Sequence, residues 1–172
     1  MNNNTVAIIL CAIISVAFIS VAAISYNICQ YNNELKSTVY SNFREHCRNI
    51  KTNCDAAVNA INEGDNANAL LHADTVFELM SSYHYEGIEL LGSDYLRLYA
   101  VLYSSLPQLH NDVLAIHTAL LNSTVSQDQI NLMTDCGSAF FYIFQNTPEP
   151  DWSGYHITSI DYIIIELGKL TS

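Results

Sequence analysis

The sequence predicts an all-α protein in which an N-terminal transmembrane helix continues into an antiparallel helical bundle of four to five helices. Three observations predict it. Residues 5–26, TVAIILCAIISVAFISVAAISY, carry no charge. The apolar positions that follow recur in steps of three and four, the helical period and not the alternation of a strand. The breaks between periodic segments are short and carry glycines that end helices and polar residues that cap them.

A helix rising about 1.5 Å per residue covers about 33 Å over this first segment, which matches a hydrocarbon core of about 30 Å. A signal peptide needs an apolar region of only about 7 to 15 residues, a basic start and a small-x-small cleavage site. The start MNNN has no Lys or Arg, and Val21-Ala22-Ala23 is a poor cleavage site. Retention as a single-pass signal anchor is therefore expected over cleavage. Residues 1–4 are then a short tail, 5–26 the anchor and 27–172 one bundle domain, long enough for a sizeable core.

Ile28, Tyr31, Leu35, Val39, Phe43, Cys47, Ile50, Cys54, Ala57 and Ile61 lie on one helical stripe, and no Pro or Gly intervenes before Gly64. One helix is expected to leave the membrane and run through 27–62 as a stalk that becomes the first bundle helix. Gly64 can end it in the left-handed conformation, and Asp65 or Asn66 can cap the next. The second helix carries Ala69, Leu70, Ala73, Val76, Phe77, Met80 and His84 on one side and stops near Gly87. Its small residues and Gly-Asp turn suit an antiparallel hairpin, and no second copy at a period of about 34 residues supports a repeat protein.

Ser93 is the expected cap of a third helix with Leu96, Tyr99, Leu102, Tyr103, Leu106, Val113, Leu114, Ile116, Leu120 and Leu121 at its apolar positions. Pro107 predicts a kink or break within it. Ser126 and Gln129 form a capping box for a fourth helix over 127–145. TPEPDWSG breaks the chain before a last segment from Tyr155 to Leu170. Its β-branched IDYIIIEL can form a strand, but a lone strand has no partner, so helix is preferred.

Charge is uneven. Lys36, Arg44, Arg48 and Lys51 fall on the stalk, whereas from Thr52 onward 15 acidic residues face only Arg97 and Lys169, about −13 with His neutral. Such a surface repels phosphate backbones and argues against nucleic acid as a partner. The basic residues read as a solvated helix face in preference to a contact with anionic lipid, since most of them lie beyond a Debye length of the bilayer, and complementarity to the acidic bundle is a further reading. Orientation draws on two opposed considerations. Lys36 and Arg44 after the span, with none before it, favour a cytoplasmic domain, yet a long domain behind a signal anchor translocates largely regardless of charge. An extracytoplasmic domain is the preferred expectation.

Five cysteines leave disulfides open. Cys47 and Cys54, about 10.5 Å apart along one helix, cannot bridge each other, while Cys136 is placed to meet either of them across the bundle. Buried, reduced thiols are the simpler expectation. There is no HExxH, no GxSxG, no phosphate-binding GxxxxGK run and no Glu-x-x-His pair. No enzymatic role, metal or other cofactor is expected.

Two groups of residues remain as candidates. Tyr83, Tyr85 and Tyr95 at the second turn, with Trp152 and Tyr155 in the Pro-rich loop, form a candidate interaction surface, since such side chains join apolar area to a polar tip. Tyr103, His110 and His117 share one face of the third helix and line a candidate ligand crevice beside Pro107. The expected function is a non-enzymatic protein-interaction or accessory module at the cell envelope. It would be anchored in lipid through residues 5–26 and would meet a protein partner, or a second copy, through the stalk. A small-molecule sensing bundle that signals through a partner is the alternative.

Overall fold

A computed structural model describes residues 3–82, 87–150 and 154–169. Five α-helices account for nearly all of them: α1 Asn3–Glu63, α2 Asn66–Ser81, α3 Ser93–Leu121, α4 Gln127–Asn146 and α5 Ile160–Lys169, with a 3-10 turn at Ile88–Leu91 before α3. Among the described residues no strand forms, and the IDYIIIEL segment is helical. The fold is an all-α bundle with one long apolar N-terminal helix.

Two compact units share the chain, Met1–Thr38 and Val39–Ser172. In the first, the described apolar side chains of α1 are exposed, including Val16, Phe18, Ile19, Tyr26, Ile28, Tyr31 and Leu35. Along the stripe Leu35 is still exposed, and Val39 is the first buried position. In the second unit Phe43, Cys47, Ile50, Cys54 and Ala57 are fully buried, and Ile61 packs against the core they build.

The α1–α2 turn follows local chemistry. Gly64 adopts φ +75°, a conformation that a Cβ disfavours, and the Asp65 carboxylate accepts from the Asn68 amide to cap α2. Antiparallel packing shows in the polar contacts. His46 Nε2 donates to the Leu79 carbonyl at 2.8 Å, and His72 Nδ1 lies 2.9 Å from Asn53 Oδ1. Moving from His46 to Asn53 along α1 thus matches moving from Leu79 back to His72 along α2. Ala57 and Ala60 in α1 and Ala69 and Ala73 in α2 are buried, so the helices approach closely where they meet the turn.

α3 packs on α2, the 3-10 turn and α5, and α5 also packs on α4. Gly92, with no side chain to cap with, occupies the position before α3, and Ser93 is its first helical residue instead of its cap. Pro107 does not break α3, which runs from Ser93 to Leu121 as one helix. Pro107 lies on the exposed face, where water can satisfy the carbonyl of Tyr103 that the missing amide leaves free. Tyr95, Leu98, Leu102, Leu109, Val113 and Ile116 form the buried face of α3, while Leu96, Tyr103, Leu114 and Leu121 turn outward. At α4 the expected capping box is present in full, with Ser126 Oγ accepting from the Gln129 amide and Gln129 Oε1 from the Ser126 amide. α5 starts later than the sequence suggests, at Ile160, after Ser159 takes φ +57°.

Candidate functional site

Of the predicted interaction surface, Tyr83, Tyr85 and Trp152 lie outside the described residues. Tyr95 is fully buried, which removes it from the surface. Its ring meets Phe43 edge-on at 5.7 Å and Tyr40 at 6.5 Å, and burial pushes its phenol above the ordinary range. Tyr155 is half-buried and tilts against Tyr40 at 5.2 Å. Tyr95 and Tyr155 are therefore brought together through a shared contact with Tyr40 of α1, as an internal aromatic cluster.

Tyr40 is the centre of that cluster. Its hydroxyl donates to the Thr147 carbonyl just past the end of α4 at 3.1 Å, so a buried polar tip is satisfied. Burial raises its pKa, and the neighbouring Arg44 guanidinium opposes the rise. Arg44 is the residue that sequence reading placed on a solvated face. Its side chain is only 20% exposed: the guanidinium stacks over Phe144 at 4.3 Å, and its Nη1 pairs with Glu149 at 2.7 Å. Lys51, on the same helix, pairs with Asp55 and lies 5.5 Å from the Phe141 ring. The complementarity of basic α1 and acidic bundle is thus partly realised inside the fold, through aromatic faces of α4 as much as through carboxylates. A sequence signal for this existed only in part. Tyr40 and Arg44 are at helical spacing, but Phe144 and Glu149 are more than ninety residues away.

The predicted crevice residues fall in line along α3 and do not converge. His110 stacks on Phe77 of α2 with centroids 3.9 Å apart, and its Nε2 lies 2.9 Å from Ser81 Oγ. His117 Nε2 lies 2.9 Å from Asp74 Oδ1, again on α2. Tyr103 is exposed, with its ring 6.0 Å from that of Tyr99. Successive members are seven residues apart, about 10.5 Å along the axis, and each meets a different neighbour. The two histidines join α3 to α2. Among the described residues no group of three or more His, Cys, Asp or Glu side chains is arranged to hold a metal ion.

A third cluster is formed by thiols. Cys47, Cys54 and Cys136 are buried, and the thiol of Cys136 on α4 is the neighbour that most affects the thiol of Cys54 on α1. Burial raises the pKa of Cys47, and the neighbouring Cys136 thiol, with burial second, raises that of Cys54. Both are therefore held as neutral thiols. Cys29 is exposed.

No family model, no curated protein and no solved structure matches this chain.

Proposed function

We propose that this chain is a membrane-anchored accessory module of the cell envelope. In this reading a non-enzymatic helical bundle is held at the bilayer by residues 5–26, lies outside the cytoplasm and binds a protein partner. The observation that carries the reading is the uncovered apolar half of α1. The helix is long and apolar enough to cross a membrane, and none of its most apolar window is buried within the protein. Apolar side chains such as Phe18 and Ile19, exposed over a segment of that length, are stable in lipid and costly in water. Supporting a scaffold role, His46, His72, His110 and His117 are each engaged by a neighbouring helix.

Location is tested by thiol labelling of intact cells. Because Cys47, Cys54 and Cys136 are buried, only Cys29 and the span residue Cys11 need replacing by Ser, and Gln127→Cys supplies an exposed target at the start of α4. A membrane-impermeant maleimide is expected to label that variant in intact cells. Labelling only after lysis overturns the extracytoplasmic placement, and labelled protein in the medium overturns the anchor. The partner is tested by cross-linking in native membranes, where one adduct of fixed mass is expected and an uncross-linked monomer at all reagent concentrations counts against the reading.

A further inference from the structure

α1 and α4 approach closely at Gly137. A Cβ added there would lie 2.8 Å from the Cys54 Cβ, so the two helices are separated by no more than a glycine allows. Cys136 is the next residue along α4, and it and Cys54 are both almost completely shielded from solvent. The Cys136 thiol is the neighbour that most affects the Cys54 thiol, in keeping with that close approach of the two helices. A disulfide requires Cα atoms within about 7 Å and Cβ atoms roughly 4 Å apart, a condition that helices normally held about 8–10 Å apart meet only where a small residue lets them close. Gly137 is that residue. Cys47, about 10.5 Å along α1 from Cys54, is left out of reach, and Cys29 belongs to the exposed N-terminal unit.

We infer that Cys54 and Cys136 are the site of an intramolecular disulfide that ties α1 to α4 across the bundle core. The oxidant is a small-molecule or protein disulfide of the compartment in which the chain folds. A thiolate of one cysteine attacks a sulfur of that disulfide, forming a mixed disulfide and releasing one thiolate. The second protein thiolate then attacks the protein sulfur and releases the other. Two protein thiols lose two protons and two electrons, and the oxidant disulfide takes them up as two thiols. Burial sets the timing. In the folded bundle both sulfurs are shielded from solvent and from an attacking disulfide, so the bond forms as the chain folds and exchanges slowly afterwards.

The chemistry of the pair stands apart from membrane orientation, but its use in the cell rests on the extracytoplasmic placement proposed above, because disulfides persist in oxidising compartments. The test has two arms. In the first, the full-length chain is refolded in detergent with a glutathione redox buffer, denatured in acid and alkylated. Two of the five thiols are expected to resist alkylation, and proteolysis is expected to yield a peptide joining Cys54 to Cys136. Closing a loop of about 80 residues is expected to raise Tm by about 10 °C relative to the reduced chain. The Cys54→Ala, Cys136→Ala double variant, which keeps the core apolar, is expected to show no redox dependence of Tm. Full alkylation of both cysteines, a link from Cys136 to Cys47, or a linked chain that melts no higher than the reduced one overturns the inference. In the second arm, cells are quenched in acid and the chain is alkylated without refolding. The linked form supports both the pair and the placement. A reduced pair in cells, from a chain that links on refolding, leaves the pair standing and overturns the placement instead.

Discussion

The two ends of α1 carry similar apolar patterns and opposite cover. Before Thr38 the described apolar side chains, Phe18, Ile24 and Ile28 among them, are exposed; from Val39 on, Phe43, Cys47, Ile50 and Cys54 are shielded by helices that arrive later in the sequence. The period alone does not separate them, since three- and four-residue steps run through both. Their difference lies in what surrounds each stripe. Over residues 5–26 of the first segment the sequence has no charge on any face, which suits lipid on all sides. Around the second, Arg44, Glu45, Arg48, Lys51 and Asp55 occupy the flanks and leave one narrow seam for protein.

The largest effect is expected from placing the same charge in each half. Ile50→Asp puts an unpaired carboxylate and a cavity at a fully buried site, and a loss above about 4 kcal/mol is expected, enough to unfold a marginal bundle. Ile19→Asp, in the exposed half, is expected to leave the Tm of the bundle in detergent unchanged while weakening membrane retention, since an Asp at the centre of a span costs about 2.5–3.5 kcal/mol on insertion. Circular dichroism melts of both variants, with carbonate extraction of membranes, measure this. An Ile50→Asp chain that melts like the parent would erase the distinction.

A second, smaller contrast uses two glycines inside helices. At Gly137 an added Cβ meets the Cβ of Cys54, an atom fixed to the α1 backbone, whereas at Gly168 in α5 it meets nothing within 4 Å. Gly137→Ala is expected to cost about 1–2 kcal/mol through overpacking, and Gly168→Ala to gain about 0.5–1 kcal/mol from helix propensity. Denaturant midpoints measured on the two variants should move in opposite directions. If Gly137→Ala stabilises, α1 and α4 are not pinned together at that point.

These sites also show what the sequence could and could not convey. The α1 stripe, the Gly64-Asp65 turn and the Ser126–Gln129 box were legible because each is written within a few neighbouring residues, whereas IDYIIIEL, locally suited to a strand, was legible as helix only from the absence of a partner strand. The buried face of α3 was not. Tyr95, Leu96, Leu98, Tyr99, Val101, Leu102 and Tyr103 leave hardly any polar side on its first turns, so packing chose Tyr95, Leu98 and Leu102 and turned Tyr103 outward. The same ambiguity placed Tyr95 on a recognition surface when it belongs to the aromatic cluster around Tyr40. Arg44 and Cys54 were misjudged or left open for another reason. Their partners, Phe144 with Glu149 and Cys136, are separated from them by most of the bundle, and only the tertiary fold brings them near.

The smallest expected effect concerns how α1 is held to α2 in its buried half. His46 is half-buried, and removal from water disfavours its charged form; the hydrogen bond to the Leu79 carbonyl works in the other direction but is the weaker influence, so its pKa lies below the ordinary value. The unfolded chain then binds a proton more readily than the folded one. Stability from this group is full above the unfolded pKa of about 6.5 and declines as pH falls below it toward the lower folded value. Between pH 7.5 and 5 most carboxylates stay ionised, which leaves histidines as the main titrating side chains. The remaining histidines are common to parent and variant, so comparison with His46→Gln, whose amide can still donate to Leu79, isolates this one. Tm of the parent is expected to drop more over that range than Tm of His46→Gln. Equal drops would mean that His46 is as well solvated as in the unfolded chain, and that the seam between α1 and α2 is looser there than the 2.8 Å contact implies.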